Sequence, residues 1–158
     1  MRIGVLTVSD GVSSHTREDT AGTWLVQACR PLGEVVRRAV ADEIEQIAEA
    51  LRDWEEDGVD VIISTGGTGL GPRDVTPEAT RMVIAKEVPG IAESLRRESA
   101  KYTPMGMLSR GLAGVRGSTL ILNLPGSAHA VKQLFPVVEP IMAHAVDLLH
   151  GNTSHEKP

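Results

Sequence analysis

Residues 64–80 read Ser64-Thr65-Gly66-Gly67-Thr68-Gly69-Leu70-Gly71-Pro72-Arg73-Asp74-Val75-Thr76-Pro77-Glu78-Ala79-Thr80, and the chemistry of the chain is sought here first. Four glycines in six positions leave backbone N–H groups unshielded by side chains and permit positive φ, the conditions for a concave anion nest. Thr76 followed by Pro77 predicts a helix N-terminus straight after the loop, with Thr76 as cap and Pro77 at the first helical position. Phosphate suits such a place, because helix N-termini favour anions. Two familiar phosphate motifs are excluded: a P-loop starting at Gly66 needs Lys where Pro72 stands, and a dinucleotide fingerprint starting at Gly67 needs Gly there. A plain tight turn is the alternative, since Gly-Gly is a turn signal.

Around the loop stand Asp10, Asp42 and Asp74. Carboxylates beside a phosphate loop suggest Mg²⁺, which takes a few carboxylate oxygens and completes its shell with substrate phosphates. Asp42 also fits a helix-capping pattern with Glu45, and the two roles are compatible. Arg73 and Arg110 are candidate phosphate contacts, because a guanidinium binds oxyanions bidentately. The five histidines share no metal-ligand spacing, which argues against zinc. Cys29 is alone and reads as a small core residue.

These residues need elements to position them. Residues 3–8, 34–40, 59–63 and 118–124 read as strands, apolar and β-branched between turn signals. Helices are expected from Thr16 or Asp19 to about 31, then from Asp42 with Ile44, Ile47, Ala48, Leu51 and Trp54 at helical spacing. Further helices are expected over 77–86, 91–101 and 128–149, the last interrupted or restarted at Pro136 and Pro140. Residues 105–111 read as a loop or a short strand. The alternation predicts a single three-layer α/β domain, αβα, around a mostly parallel sheet. Asp10, Asp42, the glycine loop with Asp74, and Asn123 with Gly126 each follow a strand, so a parallel sheet gathers them on its carboxyl edge.

Composition sets the limits. The 158 residues are 41% hydrophobic but only 3% aromatic, so the core must be aliphatic. A formal net charge of -5 argues against nucleic-acid and membrane surfaces, which are entered by a basic field. No apolar run is long enough for a signal peptide or a bilayer span, and residence in the cytoplasm is expected.

The segment from Thr65 to Thr80 resembles the signature of the molybdopterin adenylyltransferases of molybdenum-cofactor biosynthesis. A second block, Leu108-Ser109-Arg110 and then Gly114 to Ser127, is similar to the same family's later motif, and Ser9-Asp10, Asp19 and Gly22 fit as well. The family's turn usually carries Pro where this chain has Ala128, and residues 13–17 follow no strict pattern. The resemblance implies a Rossmann-like domain over 1–150 with a flexible tail at 151–158. It also implies a reaction: Mg²⁺-ATP and molybdopterin give adenylylated molybdopterin and pyrophosphate. Carried over by position, Asp42 and Asp74 are the catalytic aspartates acting through Mg²⁺. Thr65, Gly66, Gly67, Thr68, Gly69 and Asp10 bind nucleotide and phosphate, and Ser109, Arg110, Asn123, Pro125, Gly126 and Ser127 bind molybdopterin. A homotrimer with a molybdotransferase downstream is implied too. The rival reading is a noncatalytic molybdopterin carrier, for which two carboxylates near a phosphate have no evident use.

Overall fold

The computed structural model describes residues 1–152. Six strands form one sheet: β1 (Arg2–Val8), β2 (Glu34–Val40), β3 (Val61–Thr65), β4 (Lys86–Glu87), β5 (Ala113–Arg116) and β6 (Thr119–Leu124), in spatial order β2-β1-β3-β6-β5-β4. The helices are α1 (Asp10–Ser13), α2 (Thr20–Cys29), α3 (Ile44–Glu56), α4 (Thr76–Val83), α5 (Pro89–Ala100) and α6 (Ala128–Leu149).

The three central strands are buried on both faces, which is why they read as unbroken apolar runs. Ile3, Val5, Val61, Ile63, Leu120 and Leu122 meet α2, α5 and α6 on one side. Leu6, Val8, Ile62 and Ile121 meet α3 and α4 on the other. Ile47, Leu51 and Trp54 form the buried stripe of α3, and a Cβ on Gly4 would lie 2.6 Å from the Trp54 ring, so only glycine lets that ring reach the sheet. The expected three-layer, mostly parallel, Rossmann-like architecture is what the chain adopts.

Strand register matters most for the site. Thr7 pairs with Thr65 and Thr65 with Leu124, so β1, β3 and β6 end abreast. The chain leaves β1 for β2 on one flank and returns as β3 on the other, making the β1/β3 edge the switch point where such sheets bind ligands.

Several expectations need correction. The helix predicted to run through Lys86 stops at Val83, because Lys86 and Glu87 pair antiparallel with β5. Residues 105–111 hold a 3₁₀ turn, Pro104–Leu108, and the strand lies just beyond as β5, antiparallel to β6. The third strand begins at Val61, two residues late, although Val59 is buried. Residues 10–13 form a short helix capped by the Ser9 hydroxyl, which accepts from the Val12 N–H. Asp19 caps α2, accepting from the Gly22 N–H at 2.8 Å. Pro136 and Pro140 leave α6 continuous: they sit four residues apart on its exposed face, where water can serve the carbonyls they leave unpaired.

Cys29 is fully buried in the α2/α6 side of the core, where burial and then the Glu139 charge push its thiol up to about 12. Among the described residues no helix is long and apolar enough to cross a membrane. Of the expected tail, Gly151 and Asn152 finish α6 through backbone bonds to Leu148 and Asp147, and 153–158 lie outside the described residues.

Candidate active site

Gly66 follows β3 with φ 103° and donates its N–H to Leu124 O. A Cβ there would fall 2.2 Å from Val8 O, so the loop can lie against β1 only because the residue is glycine. Gly67, at φ 64°, continues the turn, and its carbonyl accepts the Thr76 N–H at 3.0 Å. Thr76 does not cap α4 as expected; its hydroxyl is buried and donates to Gly66 O at 2.8 Å, closing the base of the loop. Facing it, the Pro125–Gly126–Ser127 turn is fixed by the Thr65 hydroxyl donating to Pro125 O at 2.7 Å. A Cβ on Gly126 would lie 3.1 Å from Gly66 Cα, so the two backbones approach closely.

The carboxylates line this edge. Asp10 and Asp42 clamp each other, each donating its backbone N–H to the other's carboxylate, at 2.8 and 3.0 Å. Asp42 therefore does not cap α3, which starts after Glu43 with no side-chain cap. The Arg73 guanidinium binds Asp10 at 3.1 and 3.0 Å and Glu43 at 2.8 Å, and with the Asp42 N–H it holds the Asp10 carboxyl below the usual carboxylate range. Asp42 moves the other way: burial raises it most, and the nearby Asp10 and Asp74 charges add to the rise. Asp74 accepts the Gly71 N–H at 2.8 Å, and its carboxylate rests against Gly69 and Gly71, where any Cβ would intrude within 2.9 Å.

Two cavities open along the edge. One, of about 450 Å³, is walled by Leu95, Met105, Leu108 and Leu134, with Ser99 and Ser109 as polar points. The other, of about 310 Å³, is polar and sits at the β1/β3 switch point between Thr7, Asp19, Asp42 and Thr65. They share Gly67, Asp74, Gly126 and Ser127 as a common wall.

Residues 4–144 match the family described as the probable molybdopterin binding domain. The chain belongs to that family. It is 46% identical to MoaB of Thermus thermophilus, a molybdopterin biosynthesis enzyme, over 95% of this chain and 96% of that one, with a TM-score of 0.88. It is 39% identical to the molybdopterin adenylyltransferase of Helicobacter pylori strain J99, over 96% of this chain and 89% of that protein. The molybdenum cofactor synthesis protein cinnamon of Drosophila melanogaster is 44% identical, and the chain spans only 26% of its length. The resemblance drawn from the glycine loop is thereby borne out at the level of family.

Within this molybdopterin-binding-domain fold, Thr65, Gly66, Gly67, Thr68, Gly69, Asp42, Asp74, Ser109, Asn123, Pro125, Gly126 and Ser127 all border one or both cavities. Asp10 stands at the rim, joined to Asp42. The Asn123 side chain is buried beneath α4, donating to Ser64 and Thr80 and accepting the Leu112 N–H. Arg110 borders a third depression with Arg81 and Glu87, which shares Arg96 and Ser109 with the apolar cavity. Both arginines expected to meet phosphate thus hold protein groups.

Three contributors escaped the sequence reading. Arg37 donates to Asp19 at 2.7 Å, and Thr7 donates to the same carboxylate at 2.6 Å, fixing the back of the polar cavity. The cue for Arg37 was a charged pair inside an apolar strand. Glu78, which pairs with Arg110, carried no cue beyond its place in the first turn of a helix.

Proposed function

We propose that the chain adenylylates molybdopterin, joining it to the adenylyl group of ATP and releasing pyrophosphate. The observation that carries this reading is the common wall. Two ligands, one in each cavity, would bring their phosphates together between the glycine loop and the Pro125–Ser127 turn, with Asp42 and Asp74 beside them. In this reading the pterin occupies the Ser109 side and the nucleotide lies over Thr65–Gly69 near Asp10.

The terminal phosphate oxygen of molybdopterin forms a bond to the α-phosphorus of ATP while the bond to the β-phosphate bridging oxygen breaks. That phosphate is already ionised, so no general base is required and alignment dominates. Backbone N–H groups of the loop and the N-terminus of α6, where Ser127 caps through the Ala130 N–H, face the negative charge. The donors present fit Mg²⁺. Asp42 uses one oxygen for the Asp10 N–H, and its other oxygen faces Gly67, 3.2 Å from where a Cβ would stand. Asp42 and Asp74 would hold the ion, and when bound it would neutralise charge on the phosphates.

The same reading makes the protein a cytoplasmic homotrimer passing its product to a molybdotransferase. Light scattering tests the assembly. The chemistry is tested with purified protein, molybdopterin and α-labelled ATP, with and without Mg²⁺. Mg²⁺-dependent labelled adenylyl-molybdopterin and pyrophosphate are expected. Saturable molybdopterin binding without product would establish the carrier instead.

A further inference from the structure

We propose that Arg110 is a positioning residue: it braces the glycine loop, thereby aims Asp74, and makes no contact with substrate. The catalytic half of this inference rests on the adenylyltransferase reading, and the structural half stands without it.

Three points along the loop and the first turn of α4 converge on one guanidinium. Its Nε donates to Gly69 O at 2.7 Å, one Nη donates to Asp74 O at 2.6 Å, and the other donates to Glu78 in the first turn of α4. Its own backbone N–H donates to Thr68 O at 2.9 Å. Residues 68, 69, 74 and 78 are thus tied to a single residue from a distant segment. These bonds engage four of the five guanidinium N–H groups, the Nη that serves Asp74 also leaning on Glu78 at 3.4 Å. Glu78 answers in kind, the Arg110 bond holding its carboxyl below the ordinary range.

The consequence for Asp74 is geometric. Its carboxylate lies against Gly69 and Gly71 and accepts the Gly71 N–H, so its direction depends on where those backbones run. Arg110 fixes the carbonyl of Gly69 on one side and that of Asp74 itself on the other. Arg110 lines neither of the two cavities; it borders a neighbouring depression with Arg81 and Glu87, separated from the apolar cavity by Arg96 and Ser109. A residue so placed acts through Asp74. Lys could keep the charge but could not reach three divergent acceptors at once.

The test compares wild type with Arg110→Lys and Arg110→Ala by hydrogen exchange and steady-state kinetics. Amides of Gly71, Asp74 and Thr76 should exchange about tenfold faster or more in both variants, with β1 and β6 amides unchanged as the sign of an intact fold. Turnover should fall roughly 100-fold, as for a misplaced catalytic group, while the molybdopterin Kd moves less than about threefold. Wild-type exchange in the loop of both variants overturns the brace. A rise of about tenfold or more in the molybdopterin Kd, with turnover at saturation retained, overturns it in favour of a substrate contact. Should the wild-type chain yield no adenylylated product, the enzymatic reading falls, and the exchange data still decide whether Arg110 holds the loop.

Discussion

The two walls of the apolar cavity are built on opposite plans. The glycine-loop wall is over-determined: Thr76 ties Gly66, Gly66 ties Leu124, Arg110 ties Gly69 and Asp74, and beneath it Asn123 joins Ser64 and Thr80. The opposite wall, from Pro104 to Leu108, is a single 3₁₀ turn with Met105 62% and Met107 69% exposed. It is held by the Thr103 hydroxyl, which accepts the Met105 N–H, and by buried Gly106, where a Cβ would lie 2.4 Å from the Ser99 hydroxyl. A reacting phosphate demands fixed geometry, whereas a ring system needs only a conforming apolar surface. In the adenylyltransferase reading, the densely bonded wall would serve the chemistry and the more exposed wall would serve recognition.

Substitutions can break or sharpen that contrast. Asp74→Asn should cost the most, lowering the adenylylation rate about 10²- to 10³-fold with molybdopterin binding largely intact, as single-turnover and binding measurements would show. Equal loss of both would make the densely bonded wall structural only. Gly66→Ala comes next, because its Cβ would meet Val8 O; a stability loss of about 3 kcal/mol is expected in urea unfolding.

Asp42→Asn should act in the opposite sense on stability. The folded state raises the Asp42 pKa above 3.8, so it binds that proton more tightly than the unfolded chain does. Stability therefore declines as pH rises through the window above 3.8, and the penalty persists at pH 7. The amide keeps an acceptor for the Asp10 N–H and removes the charge. A Tm above wild type at pH 7, converging as pH falls toward 4, is expected from calorimetry; a lower Tm at pH 7 would refute it. Met105→Ala, on the more exposed wall, should change stability by no more than about 0.5 kcal/mol and alter KM for the pterin a few-fold without changing kcat.

Periodic apolar runs made β1, β2, β3 and β6 legible, and the β-α alternation then placed Asp10, Asp42, the glycine loop and the Pro125–Ser127 turn on one edge. What escaped was set by partners distant in sequence. Lys86 and Glu87 form a strand only because β5 is there to pair with, and a two-residue strand has no period to read. Asp42 and Thr76 both had sound local capping patterns, yet each found a tertiary partner, Asp10 in one case and Gly66 in the other. The arginines show the same limit. Residue type announced an affinity for oxyanions, and only the fold reveals that Arg73 meets Asp10 and Glu43 while Arg110 meets Glu78 and two carbonyls.

Sulfur supplies a last consequence. The chain's one cysteine is fully buried and its thiol pushed up to about 12, so it stays protonated at neutral pH and is screened from solvent. Thiol–disulfide exchange starts from a thiolate with access to its target. Buried in the core with its thiol held protonated, Cys29 is therefore a packing residue and not a partner for exchange with a disulfide at the carboxyl edge.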